Sequence, residues 1–257
     1  MALTLTPILT SAPYTEPADG FSVLFWDSEY KLIPKGYADS LGYSNYYGEL
    51  GTDAFQLSGG YNGIRGAWVG VGFDIKGNFG TVSNYKTGAL SAWDGTALSA
   101  REGLSQSVNN SITVRSSDTF KWSVITRTNN LSTEAVPVTL HQVVSSVDDI
   151  VYKRCRVRLQ NNGTLLKVEI KDDDGNYQTY LEQELVATGT PANAVYNSVN
   201  TMPDTLNVGL CFSSGKTTSN CWVKNFSVYG DTVTNNNAST ILDSLTGLTV
   251  VHPTSAG

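Results

Sequence analysis

The sequence predicts an all-β protein, an antiparallel sandwich of short strands. Three observations carry that expectation. Alternation with period two recurs along the chain, most clearly in residues 67–73, where Val69, Val71 and Phe73 fall on one side and Gly70 and Gly72 on the other. Hairpin-type turns, Asn161-Asn162-Gly163 and Asp173-Asp174-Gly175-Asn176, separate several of these runs. The composition agrees: 24 glycines, 10% aromatic residues and only 16% charged residues suit a turn-rich chain whose surface is largely Ser, Thr and Asn.

Taken in order, residues 1–18 alternate weakly through Leu3 and Leu5 up to Pro7 and read as an N-terminal arm or edge strand. A turn at Ala18-Asp19-Gly20 leads into a strong strand over Phe21–Trp26. A Gly- and Tyr-rich loop follows, with a short strand near Leu41-Gly42-Tyr43 and another over Ala54–Leu57, before the Gly59-Gly60 break. Residues 67–73 form a buried strand that runs into the polar turn Asp74-Ile75-Lys76-Gly77-Asn78. Two glycines leave one of its faces bare, so a backbone, a loop or a ligand can approach closely there. Residues 82–110 read as a long loop carrying Trp93. Further strands are expected over Ser111–Arg115, Phe120–Thr126, Val136–Gln142, Val151–Gln160, Thr164–Lys171, Tyr177–Glu184, Leu206–Phe212 and Cys221–Tyr229. A loop with one helical turn is expected over 187–205, and Asp148-Asp149 reads as a turn. Residues 231–257 read as a C-terminal arm, which leaves 19–230 as a single sandwich. This many strands at even spacing, with no internal repeat, is the pattern of a β-sandwich.

A chain of 257 residues can bury a large core. A net charge of −6 without any Lys/Arg-rich run argues against nucleic-acid binding, and no apolar stretch has the length of a membrane span. The first residues lack the basic start and apolar run of a secretory signal. The three cysteines Cys155, Cys211 and Cys221 cannot all pair within one chain; Cys211 and Cys221 flank a loop and could bridge, and the alternative is three buried thiols. Asp74 and Asn78 offer oxygens to a cation or close their own loop by bonds to backbone. Asp172, Asp174 and Asn176 alternate like the start of a calcium loop, but they lack the later Glu and read as a plain turn. Tyr43, Tyr46, Tyr47, Tyr61, Trp68 and Trp93 lie in or near loops, where rings can stack on sugar faces, pack under a long loop or anchor a subunit contact; packing or subunit contact is the expected role for most of them. Glycoside hydrolysis needs two carboxylates flanking the bond, and Asp74 is the only one in the central strand. With two histidines no Ser/His/Asp set forms. The expectation is a non-enzyme.

Several blocks resemble the legume-type (concanavalin A-like) lectins. Pro17–Leu24 resembles their A-D-G-x-A-F block, Val69–Asn78 their V-A-V-E-F-D-x-x-x-N strand and metal loop, and Met202–Gly215 their L-P-E-x-V-x-V-G-F block. Asn110–Val114 and Cys221–Tyr229 fall where the following and closing strands are expected. The blocks keep the family's order across residues 19–230. The resemblance implies a concanavalin A-like jelly roll. It also implies a carbohydrate site built from Asp19, Gly42, Asn78, Ser214 and Gly215, and Ca²⁺ ligands at Asp74 and Asn78. The pattern departs from the family at two places. Gly72 stands where the transition-metal Glu belongs, and Thr81, Ser83 or Asn84 stands where the second calcium Asp belongs.

A second resemblance, carried by Asp19–Phe25, Leu41–Ser44 and Gly70–Phe79, is to lectin-like virion structural proteins of tailed phages of marine and cyanobacterial hosts. It implies a structural, decorating or host-recognition role in a virion assembled in the host cytoplasm, where no export signal is needed. The partners it implies are other virion subunits or further copies of the chain as a homo-oligomer, with a cell-surface glycan as a possible ligand. A carbohydrate-binding lectin is the alternative.

Overall fold

The structure is a computed structural model describing residues 2–11, 18–32, 41–44, 63–80, 107–120, 122–143, 147–188, 197–213 and 220–229. Two mostly antiparallel sheets form the body of it. The first has the order β12 (Leu206–Ser213), β2 (Gly20–Asp27), β3 (Ala67–Asp74), β4 (Ser111–Arg115) and β5 (Val124–Arg127). The second has the order β13 (Asn220–Tyr229), β1 (Ala2–Ser11), β7 (Cys155–Gln160), β8 (Leu165–Lys171) and β9 (Tyr177–Glu184). In that sheet β6 (His141–Val143) lies parallel to the second half of β1, while β7 pairs with the first half. A short parallel pair, β10 (Val186–Ala187) and β11 (Ser198–Val199), stands apart.

The expected sandwich is therefore present, with several boundaries moved. Residues 1–18, expected as an arm or edge strand, supply β1, which has partners on both sides. The expected strand at Leu41–Tyr43 is a turn, with Leu41 and Gly42 at φ values of 46° and 73°. The strand expected from Phe120 begins only at Val124, because Trp122 takes a φ of 52° in the preceding turn. Of residues 136–142 only the last two are in a strand. The Asn110 side chain competes for this segment: its amide nitrogen donates to the Val138 carbonyl (2.8 Å) and its oxygen accepts from the Leu140 N–H (2.8 Å). The strand expected from Val151 starts at Cys155. Strands β10 and β11 fall within or beside the loop expected at 187–205. The Asp148-Asp149 turn is one turn of 3-10 helix, Val147–Asp149. The expected features at Ala54–Leu57, Gly59-Gly60, Trp93 and 231–257 lie outside the described residues.

Inward residues of both sheets make one core: Val23, Val69, Val71, Phe73 and Ile112 from one sheet, and Val157, Leu159, Leu166, Val168 and Ile170 from the other. Phe21 stacks on Phe73, with centroids 4.5 Å apart and planes 7° apart, and Phe25 meets Trp68 edge-on. Such pairs add about 1 kcal/mol each beyond the area they bury. A one-residue shift between Phe25 and Trp26 reverses the strand parity there. As a result Trp68 joins this core, where its indole N–H donates to the Asn200 carbonyl (2.9 Å). Cys155 and Cys211 are free buried thiols, and burial pushes each up to about 12. With Cys211 free, the suggested Cys211–Cys221 bridge does not form. The two residues also belong to different sheets.

On the second sheet the inward residues of β7 alternate with Arg156 and Arg158, and both arginines clamp Glu169 of β8. Arg156 Nε lies 2.8 Å and Arg158 Nε 2.7 Å from the Glu169 carboxylate, which is almost wholly covered. Burial alone would raise the acid; the Arg156 hydrogen bond and the charges of both arginines outweigh it and hold Glu169 below the usual carboxylate range. The Asp172-centred turn is a plain hairpin turn as expected, with Asn176 N–H donating to Asp172 Oδ1 (2.7 Å).

Two outcomes follow from this framework. Glu169 has a folded value depressed below the unfolded one, so its contribution is complete above the ordinary glutamate range, near ~4.3. It is lost as the pH falls from there through the folded value. Acid unfolding of Glu169→Gln should accordingly show a flatter acid limb than the parent, from a lower stability at neutral pH. Reducing agent should leave the melting temperature unchanged, and a drop would reveal a disulfide.

Candidate functional site

The outer face of the five-stranded sheet is set by register. Side by side across the strands lie Ser213, Gly20, Asp74 and Ser111; then Cys211, Ser22, Gly72, Thr113 and Arg127; then Gly209, Leu24, Gly70 and Arg115. The middle of that face is nearly bare of side chains, and the chain itself fills it. Tyr43 covers Gly70, where an added Cβ would lie 2.6 Å from the ring, and Phe79 covers Gly72 more closely still. Leu41, Tyr43 and Phe79 join Leu24, Trp26, Ile64, Ala67 and Cys211 in a second buried cluster. Polar bonds fix the cover in place. Ser22 Oγ donates to the Leu41 carbonyl (2.6 Å), and Tyr43 Oη donates to the Ser116 carbonyl (2.9 Å). Gly42 uses its left-handed backbone to bring the turn down onto Cys211, where no Cβ fits.

Asp19, Asp74 and Asn78 do converge at one end of this sheet. Gly20 pairs with Asp74, which places Asp19 beside the turn after β3, and its carbonyl accepts the N–H of Ile75 (2.9 Å). Asp19 is only 3% exposed, and its carboxylate is ion-paired with Lys76 Nζ (3.4 Å). The residue implied as an open acceptor for sugar hydroxyls is thus covered and engaged by a cation. Asn78 is half-buried in the turn. Gly42 lies in the 41–44 turn on the outer face, against Cys211, and Ser214 and Gly215 lie outside the described residues.

Asp74 is 1% exposed. Its Oδ1 accepts from the Gly77 N–H (2.7 Å) and its Oδ2 from the Gly80 N–H (2.9 Å), so both oxygens close its own loop. Gly77, at a φ of 85°, provides the backbone sense the turn needs against Val108. The neighbouring charge is cationic. Arg115 is fully buried; burial pushes its guanidinium down to about 9, and the Asp74 carboxylate opposes that fall. Arg127 is likewise lowered by burial and favoured in its charged form by Asp74. A calcium ion takes six to eight hard oxygens, with carboxylates prominent among them. Here the one central carboxylate is bonded to two amides and faces two arginines. Among the described residues no three His, Cys, Asp or Glu side chains gather as a metal group. The donor set implied at Asp74 and Asn78 does not fit a calcium ion.

Two residues that organise this end, Arg115 and Phe79, were not singled out from the sequence. The signal available was the pair Gly70 and Gly72, whose missing side chains call for bulky groups from elsewhere. Tyr43 and Trp68 are packing residues, in line with expectation; Tyr46, Tyr47, Tyr61 and Trp93 lie outside the described residues. A direct check is Gly72→Ala, which drives a methyl into the Phe79 ring. It should cost roughly 1–3 kcal/mol in chemical denaturation, as overpacking does, and a neutral result would mean Phe79 does not seat on β3.

No family model and no curated protein sequence matches the chain. Solved structures of legume-type lectins do resemble it. The Lotus tetragonolobus seed lectin is 12% identical with a TM-score of 0.46, over 87% of this chain and 73% of that one. Peanut lectin with a 9mer peptide is 11% identical with a TM-score of 0.43, over 89% and 72%. The metal-free form of Griffonia simplicifolia lectin I-B4 is 15% identical with a TM-score of 0.42, over 87% and 71%. At these scores the likeness is one of partial fold and assigns neither a ligand nor a metal to this chain.

Proposed function

We propose that this protein is a non-catalytic structural, decorating or host-recognition component of a phage virion, built on a lectin-like sandwich. One observation carries the non-catalytic part. The face on which an open cleft would sit is filled by Tyr43, Phe79 and Arg115, and the carboxylate at its end, Asp74, is spent on its own loop. A hydrolase of glycosides needs a second carboxylate within roughly 5–10 Å of the first. The acid beside Asp74, Asp19, is itself paired with Lys76. The virion part rests on the sequence resemblance over Asp19–Phe25, Leu41–Ser44 and Gly70–Phe79, and implies association with other copies or other virion subunits.

The second reading is a carbohydrate-binding module. It is favoured by the convergence of Asp19, Lys76 and Asn78 at one sheet end, with Lys76 about a quarter exposed and able to meet a ligand.

Light scattering on the purified chain across a concentration series, together with a glycan array, tests both. The structural reading expects a defined homo-oligomer and no hydrolysis of any arrayed glycan; a monomer at every concentration overturns it. Glycan binding that is abolished by Asp19→Ala and Lys76→Ala would establish the second reading instead.

A further inference from the structure

The loop from Asp74 to Gly80 has the job that a bound cation does in many proteins: it gathers a carboxylate and several backbone carbonyls at the end of a strand. We infer that Arg115, assisted by Arg127, performs that job here, so that this end of the sandwich is organised by guanidinium groups and is independent of divalent metal.

The geometry divides the loop's backbone into donors and acceptors. The Ile75 N–H donates to the Asp19 carbonyl, and the Gly77 and Gly80 N–H groups go to the two oxygens of Asp74. The Ile75 carbonyl accepts the Asn110 N–H (2.9 Å), and the carbonyls at the far end of the loop, Phe79 and Gly80, go to arginine. Arg115 Nε and Nη2 both donate to the Phe79 carbonyl (3.0 and 2.5 Å), its Nη1 donates to the Trp122 carbonyl (2.6 Å), and Arg127 Nη1 donates to the Gly80 carbonyl (3.0 Å). Carbonyl and carboxylate oxygens are the ligands a hard divalent cation would collect. A planar guanidinium, with five N–H donors in a fixed fork, can serve several such oxygens at once.

Register explains how Arg115 reaches them. It stands opposite Gly70 on the outer face, on the row next to the Gly72–Thr113 pair. Because positions 70 and 72 lack side chains, Phe79 settles onto Gly72, and the guanidinium lies 4.8 Å from the centre of that ring. A cation over an aromatic face regains part of what it loses on leaving water. Among the described residues, the groups facing the guanidinium include Phe79 above β3, Trp122 before β5, Tyr43 from the 41–44 turn and Asp74 at the end of β3. Gly72, standing where the lectin pattern places a transition-metal Glu, is then the residue that makes room for the Phe79 and Arg115 pair. This inference holds whichever partner or ligand the protein meets, so it survives the failure of either functional reading.

The test uses the full chain. Melting temperature and amide hydrogen exchange are measured in EDTA, in excess Ca²⁺ and in excess Mn²⁺, for the parent and for Arg115→Lys and Arg127→Met. In the parent, the melting temperature and the protection of the Gly77 and Gly80 amides should be the same in all three solutions. Lysine cannot bridge the Phe79 and Trp122 carbonyls together, so Arg115→Lys should speed exchange at Gly77 and Gly80 by about tenfold or more, the loss of a charge-assisted contact. Exchange in β7 and β8 should be unchanged, and no added metal should restore the loop. Should Arg115→Lys fail to fold, Arg127→Met, at a half-buried site, is expected to speed exchange at Gly80 in the same selective way. Loss of loop protection in EDTA that Ca²⁺ reverses would overturn the inference. Exchange at Gly77 and Gly80 that is unaltered in the folded variants would overturn it equally.

Discussion

The burial of β3 on both faces is the constraint on which the rest of this molecule depends. A strand at the centre of a five-stranded sheet already has neighbours at both edges. All eight of its residues are buried as well, so its outer face needs a cover that a simple two-layer sandwich does not provide. Val69, Val71 and Phe73 meet the opposing sheet in the main core. On the other side Gly70 and Gly72 present backbone, and aromatic rings from two separate turns lie on it. The molecule therefore has a core between its sheets and a second, smaller one outside the first sheet.

That second cluster decides what the end of the sheet can do. Once Phe79 is seated on Gly72, the chain from Asp74 to Gly80 must fold back sharply, and the backbone groups of that bend need partners in a dry environment. Asp74 satisfies the Gly77 and Gly80 amides, and the arginines satisfy the Phe79 and Gly80 carbonyls. A buried guanidinium is costly to desolvate, and the arrangement offsets that cost with three donated bonds, an aromatic face and a nearby carboxylate. The same logic appears on the opposite sheet, where Arg156 and Arg158 share Glu169 on the outer side. In both places the charged groups of a chain with few charges are spent on holding strands and loops together.

The two carboxylates at this end are both buried. Asp19 is ion-paired with Lys76, and Asp74 is closed off by its own loop. The contrast with an open acceptor site follows from packing: a ring in place of a cavity, and a guanidinium in place of a free cation.

The strands and the core were largely legible in the sequence. Alternation identified β3 and its inward face, and β4 and β9 were read to the residue, because period-two burial leaves a direct imprint on residue order. The two glycines announced a close approach without naming what approaches. That it is Tyr43 and Phe79 depends on contacts between residues far apart in sequence, as does the capture of the 138–140 segment by the Asn110 side chain and the placing of residues 2–11 between two strands. The ligand pattern at Asp74 and Asn78 was legible as chemistry. Its employment was not, because whether an Asp binds a cation or its own backbone is decided by which groups the fold brings to its two oxygens. Here tertiary structure brings two amides and the charge of a buried arginine four residues beyond the paired β4 partner of Asp74.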